Sequence, residues 1–138
     1  PQEFTISDVT DLLKKRFDEE RVNELCTLLK MNNISDKLKI RKMSDGQKQK
    51  IKLLCFLSAK PQIVILDEFT NALDRMSAID LYSFFNVYIK IEDLVVLNIT
   101  HNLSDLEYMQ GNYYYIKDRD IVMVDSKKQV IESYMRGE

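Results

Sequence analysis

Glycine is scarce in this 138-residue chain, which holds only Gly46, Gly111 and Gly137. A G-x-x-x-x-G-K-[ST] loop, whose backbone N–H groups cradle β- and γ-phosphates, therefore has no place in it. Histidine is scarcer still, with His101 alone, and the two cysteines, Cys26 and Cys55, stand far apart. No His/Cys metal set follows from that supply, and both cysteines, on apolar helical faces, are expected to be reduced, buried thiols. The apolar runs 63–66 and 94–97 fall far short of the about 20 residues a membrane helix needs. Nor is there an excess of one charge: 20 basic residues face 22 acidic ones, so no long-range field makes nucleic acid the default partner. These absences predict a soluble, cytoplasmic polypeptide. The opening Pro1-Gln2-Glu3, neither an initiator methionine nor a signal sequence, is read as a sign that a segment upstream has been withheld.

What is present alternates between helical and strand patterns. Ser7 is expected to cap a short helix through about Lys15, and Asp18 a second one carrying Val22, Leu25, Cys26 and Leu29 at three- and four-residue spacing. Asn32-Asn33 stops it. A basic stretch, Lys37 to Lys42, leads to Ser44-Asp45-Gly46-Gln47, which has capping-box spacing and predicts a helix from about Gly46 to Ala59, ended by Pro61. Ile63-Val64-Ile65-Leu66 reads as a strand covered on both faces, as in a parallel sheet. A helix over about 77–90 places Ile79, Tyr82, Phe85 and Ile89 on its buried stripe. Residues 94–99 form a second buried strand. A short helix near 103–108, two strands over 113–117 and 121–124, and a closing helix over 127–136 complete the chain. The alternation predicts an α/β fold in which a helical subdomain precedes a mostly parallel sheet core.

Chemistry in an open parallel sheet gathers beyond the carboxyl ends of its strands. Asp67 and Glu68 end the first strand there, and His101 ends the second. The acid pair can divide labour, Asp67 toward metal-bound water and Glu68 toward an attacking water. The imidazole could meet a phosphate oxygen. At the start of the capping-box helix, the free N–H groups around Asp45 to Gln47 and the Ser44 hydroxyl make an anion site backed by the helix dipole. Each feature has a plainer reading: a solvated loop, a structural histidine, a helix that simply begins. Lys37 to Lys42 with Lys48, Lys50 and Lys52 reads as a solvated face rather than a phosphate-backbone surface, and Tyr113-Tyr114-Tyr115 as strand packing rather than a base-stacking platform.

Taken in order, these segments resemble the nucleotide-binding domain of ABC-type ATPases over essentially the full chain. Met43-Ser44-Asp45-Gly46-Gln47 is similar to the LSGGQ signature, Ile63 to Glu68 to the Walker B strand with its catalytic glutamate, Asn71-Ala72-Leu73-Asp74 to the D-loop, and Thr100-His101 to the switch histidine. Gln2 falls at the Q-loop glutamine. The resemblance implies residues 1–60 as Q-loop end, helical subdomain and signature helix, and 61–138 as the C-terminal half of a P-loop NTPase (RecA-like) core. It implies ATP and Mg²⁺ as cofactors. Asp67 and Gln2 would serve the metal, Glu68 the hydrolytic water and His101 the γ-phosphate. Ser44, Asp45, Gly46 and Gln47 would cap ATP held by a second, head-to-tail ATP-binding domain, with Asp74 at the seam. Gln2 would link the metal site to a transmembrane transporter subunit, placing the protein on the inner face of the cell membrane.

Two positions depart from the family pattern. Asp45 replaces a glycine and brings a carboxylate toward a region meant for a triphosphate, where like charge is unfavourable unless the side chain turns outward. Phe69 stands where proline is common. The phosphate-loop half of the domain is the further partner implied. Its strand would lie between the His101 strand and 113–117, so a gap in the sheet and negligible ATP binding by the isolated chain are expected. Two other readings stay open: an ABC-type ATPase of DNA maintenance, though residues 3–42 show no sustained heptads, and a non-catalytic interaction or regulatory fragment.

Overall fold

Thr5, rather than the expected Ser7, opens the first helix, α1 (Ile6–Arg16). The reason is reciprocity: the Asp8 amide donates to the Thr5 hydroxyl, and the Asp8 carboxylate takes the Thr5 N–H at 2.8 Å, a box that Ser7, three residues before Thr10, cannot form. The structure, a computed structural model, describes residues 3–136. Asp18 caps α2 (Glu19–Leu28) through the Arg21 amide at 2.8 Å. The chain then turns at Lys30, in the left-handed region, into a 3₁₀ turn at Met31–Asn33. Ser44 caps α3 (Asp45–Ser58) with the expected box, its hydroxyl accepting the Gln47 amide while Gln47 Oε1 accepts the Ser44 amide.

Strand β1 (Ile63–Asp67) and strand β2 (Val95–Ile99) are parallel neighbours, joined by α4 (Arg75–Ile91), in register from Ile63 opposite Val95 to Asp67 opposite Ile99. Period-two alternation sends Leu66 into the core, where it is buried. The opposite face is not covered as the uncharged run predicted: Ile63, Ile65, Val95, Leu97 and Ile99 are 42–65% exposed. The buried side of α4 also differs from expectation, being Ala78, Leu81, Tyr82, Phe84, Phe85 and Tyr88, with Ile79 and Ile89 only half-buried at its margin.

Val22, Leu25 and Leu29 of the α2 segment, Leu54 and Leu57 of α3, and Leu81 and Phe85 of α4 fill the core of this first unit. Two polar hubs knit the same helices. Arg21, its side chain only 13% exposed, donates to the Leu57 carbonyl at the end of α3 and to the Tyr88 hydroxyl, and pairs with Glu92 at 2.6 Å. Asp80 on α4 pairs with Lys30 at 2.6 Å and with Lys50 of α3 at 2.5 Å. Burial would raise the Asp80 carboxyl, but the hydrogen bonds and charges of the two lysines outweigh it and leave the group below its ordinary range.

The chain divides into two compact units, the first running to Ile99 and the second beginning at Thr100. In the second, β3 (Tyr113–Lys117) and β4 (Asp120–Val124) form an antiparallel hairpin. Its turn residues, Asp118 and Arg119, both take positive φ, the backbone a two-residue hairpin turn requires. Helix α5 (Lys127–Arg136) follows. Near the unit's start, buried Asp105 accepts from the Thr100 hydroxyl at 2.9 Å, and Asn102 caps a 3₁₀ turn at Leu103–Glu107. The strands of the described residues thus fall into two separate two-stranded sheets.

Candidate functional site

Beyond Asp67 the ladder continues for one more bond, the Glu68 amide donating to the Ile99 carbonyl at 2.9 Å. There the backbone breaks. Glu68 adopts φ +46°, a left-handed conformation that costs a side-chain-bearing residue about 1–2 kcal/mol. Asp67 is exposed and Glu68 half-buried, continuing the alternation of exposed 63, 65 and 67 with more buried 64, 66 and 68. The turn is closed from within by the Asn71 amide on the Glu68 carbonyl (3.2 Å) and the Leu73 amide on the Thr70 carbonyl (2.9 Å).

Three groups hold the turn from below. The Phe69 ring meets Phe85 edge-on with centroids 6.2 Å apart, an anchor that proline at this position could not supply. The buried Thr70 hydroxyl lies 3.3 Å from the Tyr82 hydroxyl, which also takes the Asn98 amide at 3.4 Å. From α3, Gln49 Nε2 donates to the Phe69 carbonyl at 3.3 Å. None of Gln49, Thr70, Tyr82 or Asn98 was among the expected site residues. The available signal was positional, since Gln49 follows Gly46 by three residues and so shares its helix face.

The turn ends at Asp74, which caps α4 by accepting the Ser77 amide at 3.0 Å and the Ser77 hydroxyl at 2.7 Å. The Ser77 hydroxyl, then the Ser77 amide, hold the Asp74 carboxyl below its ordinary range. The start of α3 lies directly against the start of α4: a Cβ at Gly46 would come within 2.6 Å of Ser77 Oγ and 2.9 Å of Ser77 Cβ. Ser44 is exposed at that end, and its side chain is occupied by the capping box. The Asp45 carboxylate pairs along the helix with Lys48 at 3.2 Å.

One unit therefore brings together the exposed Asp67, the half-buried Glu68, the Asp74 cap and the Ser44–Gln47 helix start. His101 lies exposed in the second unit, two residues beyond Ile99 in the chain. Gln2 lies outside the described residues. Four of the basic residues weighed as a phosphate-backbone surface are drawn into ion pairs, Lys39 and Arg41 with Glu3, Lys48 with Asp45 and Lys50 with Asp80. Cys26 and Cys55 are half-buried free thiols, and burial pushes both up. No described helix is long and apolar enough to cross a membrane.

Comparison with known proteins gives the same frame. Residues 1–71 match the family model described as ABC transporter. The chain is similar to a protein named probable peptide export ATP-binding protein YydI of Bacillus subtilis (strain 168), at 38% identity over 98% of this chain and 65% of that protein. It is also similar to ABC transporter ATP-binding protein YtrB of the same organism, at 25% identity over 96% of this chain and 46% of that one. The chain thus spans less than two-thirds of either relative. Among solved structures, the ADP conformation of an ATP-binding cassette of an ABC transporter superposes with a TM-score of 0.67 at 21% identity, covering 87% of this chain and 50% of that one. That likeness speaks for the fold, an α/β core of the kind the alternating helices and strands predicted.

Proposed function

This chain belongs to the ABC transporter family, and from that premise we propose that it is the part of an ATP-hydrolysing subunit which carries the signature helix and the hydrolytic carboxylates. The observation that supports this best is the juxtaposition within one unit of the Asp67-Glu68 turn and the Ser44 end of α3, joined by Gln49 and by the Gly46–Ser77 contact. Glu68 polarises the attacking water, and its half-buried position favours a base that is shielded yet reachable. The start of α3 at Ser44, Asp45 and Gly46, where the Gln47 N–H is already held by the Ser44 hydroxyl, caps the γ-phosphate of a nucleotide held by a second such domain. Asp74 sits at the seam between the two. His101 steadies the γ-phosphate, and Gln2 connects the metal to a transmembrane subunit.

Magnesium suits the donor set. It keeps several waters and takes one or two carboxylates plus phosphate oxygens, and a single exposed carboxylate, Asp67, stands at the strand end. When bound it neutralises phosphate charge. Asp67 would hold it in place, leaving the neighbouring carboxylate of Glu68 to act on water.

The nucleotide itself needs the phosphate-loop half of the domain. Two observations support that half as a partner: the open apolar face of β1 and β2, and the division of the strands into two sheets. Functionally, residues 1–60 then serve as Q-loop end, helical subdomain and signature helix, and residues 61–138 as half of the nucleotide-binding core. The complete subunit acts on the inner face of the membrane and couples hydrolysis to transport. The transporter reading is favoured over the DNA-maintenance branch because α1 and α2 are separate helices of 11 and 10 residues, not a long coil.

The test has two arms. By calorimetry, the isolated chain takes up no ATP in the micromolar range; tight uptake overturns its dependence on a phosphate-loop half. Combined with a phosphate-loop half, it hydrolyses ATP, and Glu68→Gln lowers kcat by about 10²- to 10⁴-fold while nucleotide capture persists. Equal turnover by native and variant sinks the role of Glu68.

A further inference from the structure

The carbonyl groups of the Glu68 turn are divided between two clients. Those of Glu68 and Thr70 accept amides of the same turn, from Asn71 and Leu73, whereas that of Phe69 accepts from Gln49 on α3. Gln49 lies on the same face of α3 as Gly46, which abuts Ser77, and that serine is itself pinned by Asp74 at 2.7 Å. One face of α3 thus makes a hydrogen bond to the beginning of the turn and a steric stop against its end. Such bracketing matters because Glu68 is in a left-handed conformation, which persists only where its surroundings over-determine it.

We propose that Gln49 is a positioning residue: its amide, on the Phe69 carbonyl, ties the Ser44 end of α3 to the backbone that aims Glu68, so the two move as one body. This rests on the reading of Ser44 and Glu68 given above. On that reading Ser44 acts on the nucleotide of the partner domain and Glu68 on that of its own. Gln49 therefore links the two nucleotide sites of the pair. When an anion seats at the start of α3, the displacement reaches the Glu68 turn through the Gln49 side chain.

Gln49→Met keeps length and removes the donor, while Gln49→Lys restores one. The first readout is amide hydrogen exchange on this chain. Gln49→Met speeds exchange at Glu68 and Asn71 by about 3- to 10-fold, the range set by the net worth of one hydrogen bond. Leu81 and Phe85 of α4 keep their protection, and Gln49→Lys returns the turn toward the native rate. A uniform rise through α3 and α4 marks a merely structural side chain and overturns the proposal, as does no change. Should Gln49→Met not fold, the native chain against Gln49→Glu, which keeps the shape but presents an acceptor to the carbonyl, makes the same comparison.

The second readout is ATP hydrolysis by the chain combined with its phosphate-loop half. Gln49→Met lowers kcat about tenfold at unchanged KM for ATP, and Gln49→Lys recovers most of it. Turnover equal to native overturns the coupling. If the native combination hydrolyses nothing while the local exchange effect stands, the ATPase reading fails and the tether between α3 and the turn survives.

Discussion

Gly46 owes its identity to a neighbour rather than to its own backbone, which is helical. A methyl group there meets Ser77 at 2.6 Å, and Ser77 cannot swing aside without giving up its bond to Asp74. Overpacking of this kind costs about 1–3 kcal/mol, against a helix-propensity gain of up to about 1 kcal/mol for alanine. Gly46→Ala is therefore expected to lower stability by roughly 1 kcal/mol in urea denaturation at constant m-value. Combining it with Ser77→Gly should recover part of the loss, through a coupling a double-mutant cycle measures. A Gly46→Ala chain more stable than native would refute the contact. The glycine was legible in the sequence as part of a motif, but Ser77 was not, because the clash depends on where α4 begins relative to α3. Glu68 and Asp67 were legible as an acid pair at a strand end. Their divergence was read from strand alternation, but the left-handed backbone at Glu68 was not, since such a residue other than glycine leaves no compositional mark.

Two helix starts were readable: Asp18, which takes the Arg21 amide, and Ser44, with its reciprocal box, cap the helices expected of them. The first helix shows the limit of that reading, because Ser7 and Thr5 are both good caps and the choice falls to Asp8, which only Thr5 can engage. In α4, apolar residues almost encircle the helix, from Ile79 through Leu81, Tyr82, Phe84, Phe85, Val87 and Tyr88 to Ile89, so periodicity alone does not choose a face. The shared core chooses it, Leu81 and Phe85 joining the same cluster as Leu54 and Leu57 of α3 while Arg21 meets Tyr88.

The same helix carries a pH dependence. Asp80 titrates below its ordinary 3.8 because Lys30 and Lys50 share it. A depressed carboxyl contributes stability that is complete above the unfolded value and lost as pH falls through the folded one. Acid denaturation should therefore steepen below about pH 4, and Asp80→Asn should flatten that limb while losing stability at pH 7. Parallel acid limbs for the two chains would show that the lysines do not hold the carboxyl.

On the scale of the whole chain, the sheet is where expectation and structure part most clearly. The uncharged run at 63–66 made a strand legible and its parallel partner at 95–99 likewise, but the run reports the surroundings the strand is suited to, not those it has here. Ile65 and Leu97, opposite one another in the register, face outward. Replacing both by threonine should change stability by less than about 0.5 kcal/mol, as for surface positions generally. It should also weaken self-association in sedimentation velocity, because a contiguous apolar face is removed. A loss of 2 kcal/mol or more would mean that the face is covered in solution. The described strands form two separate two-stranded sheets, and His101 belongs to the second unit.

The left-handed backbone of Glu68 bears on how this position would drift under mutation. Selection for folding alone favours glycine or asparagine there, since either relieves the backbone, and every generation offers that exchange afresh. Folding alone therefore does not account for an acid at position 68.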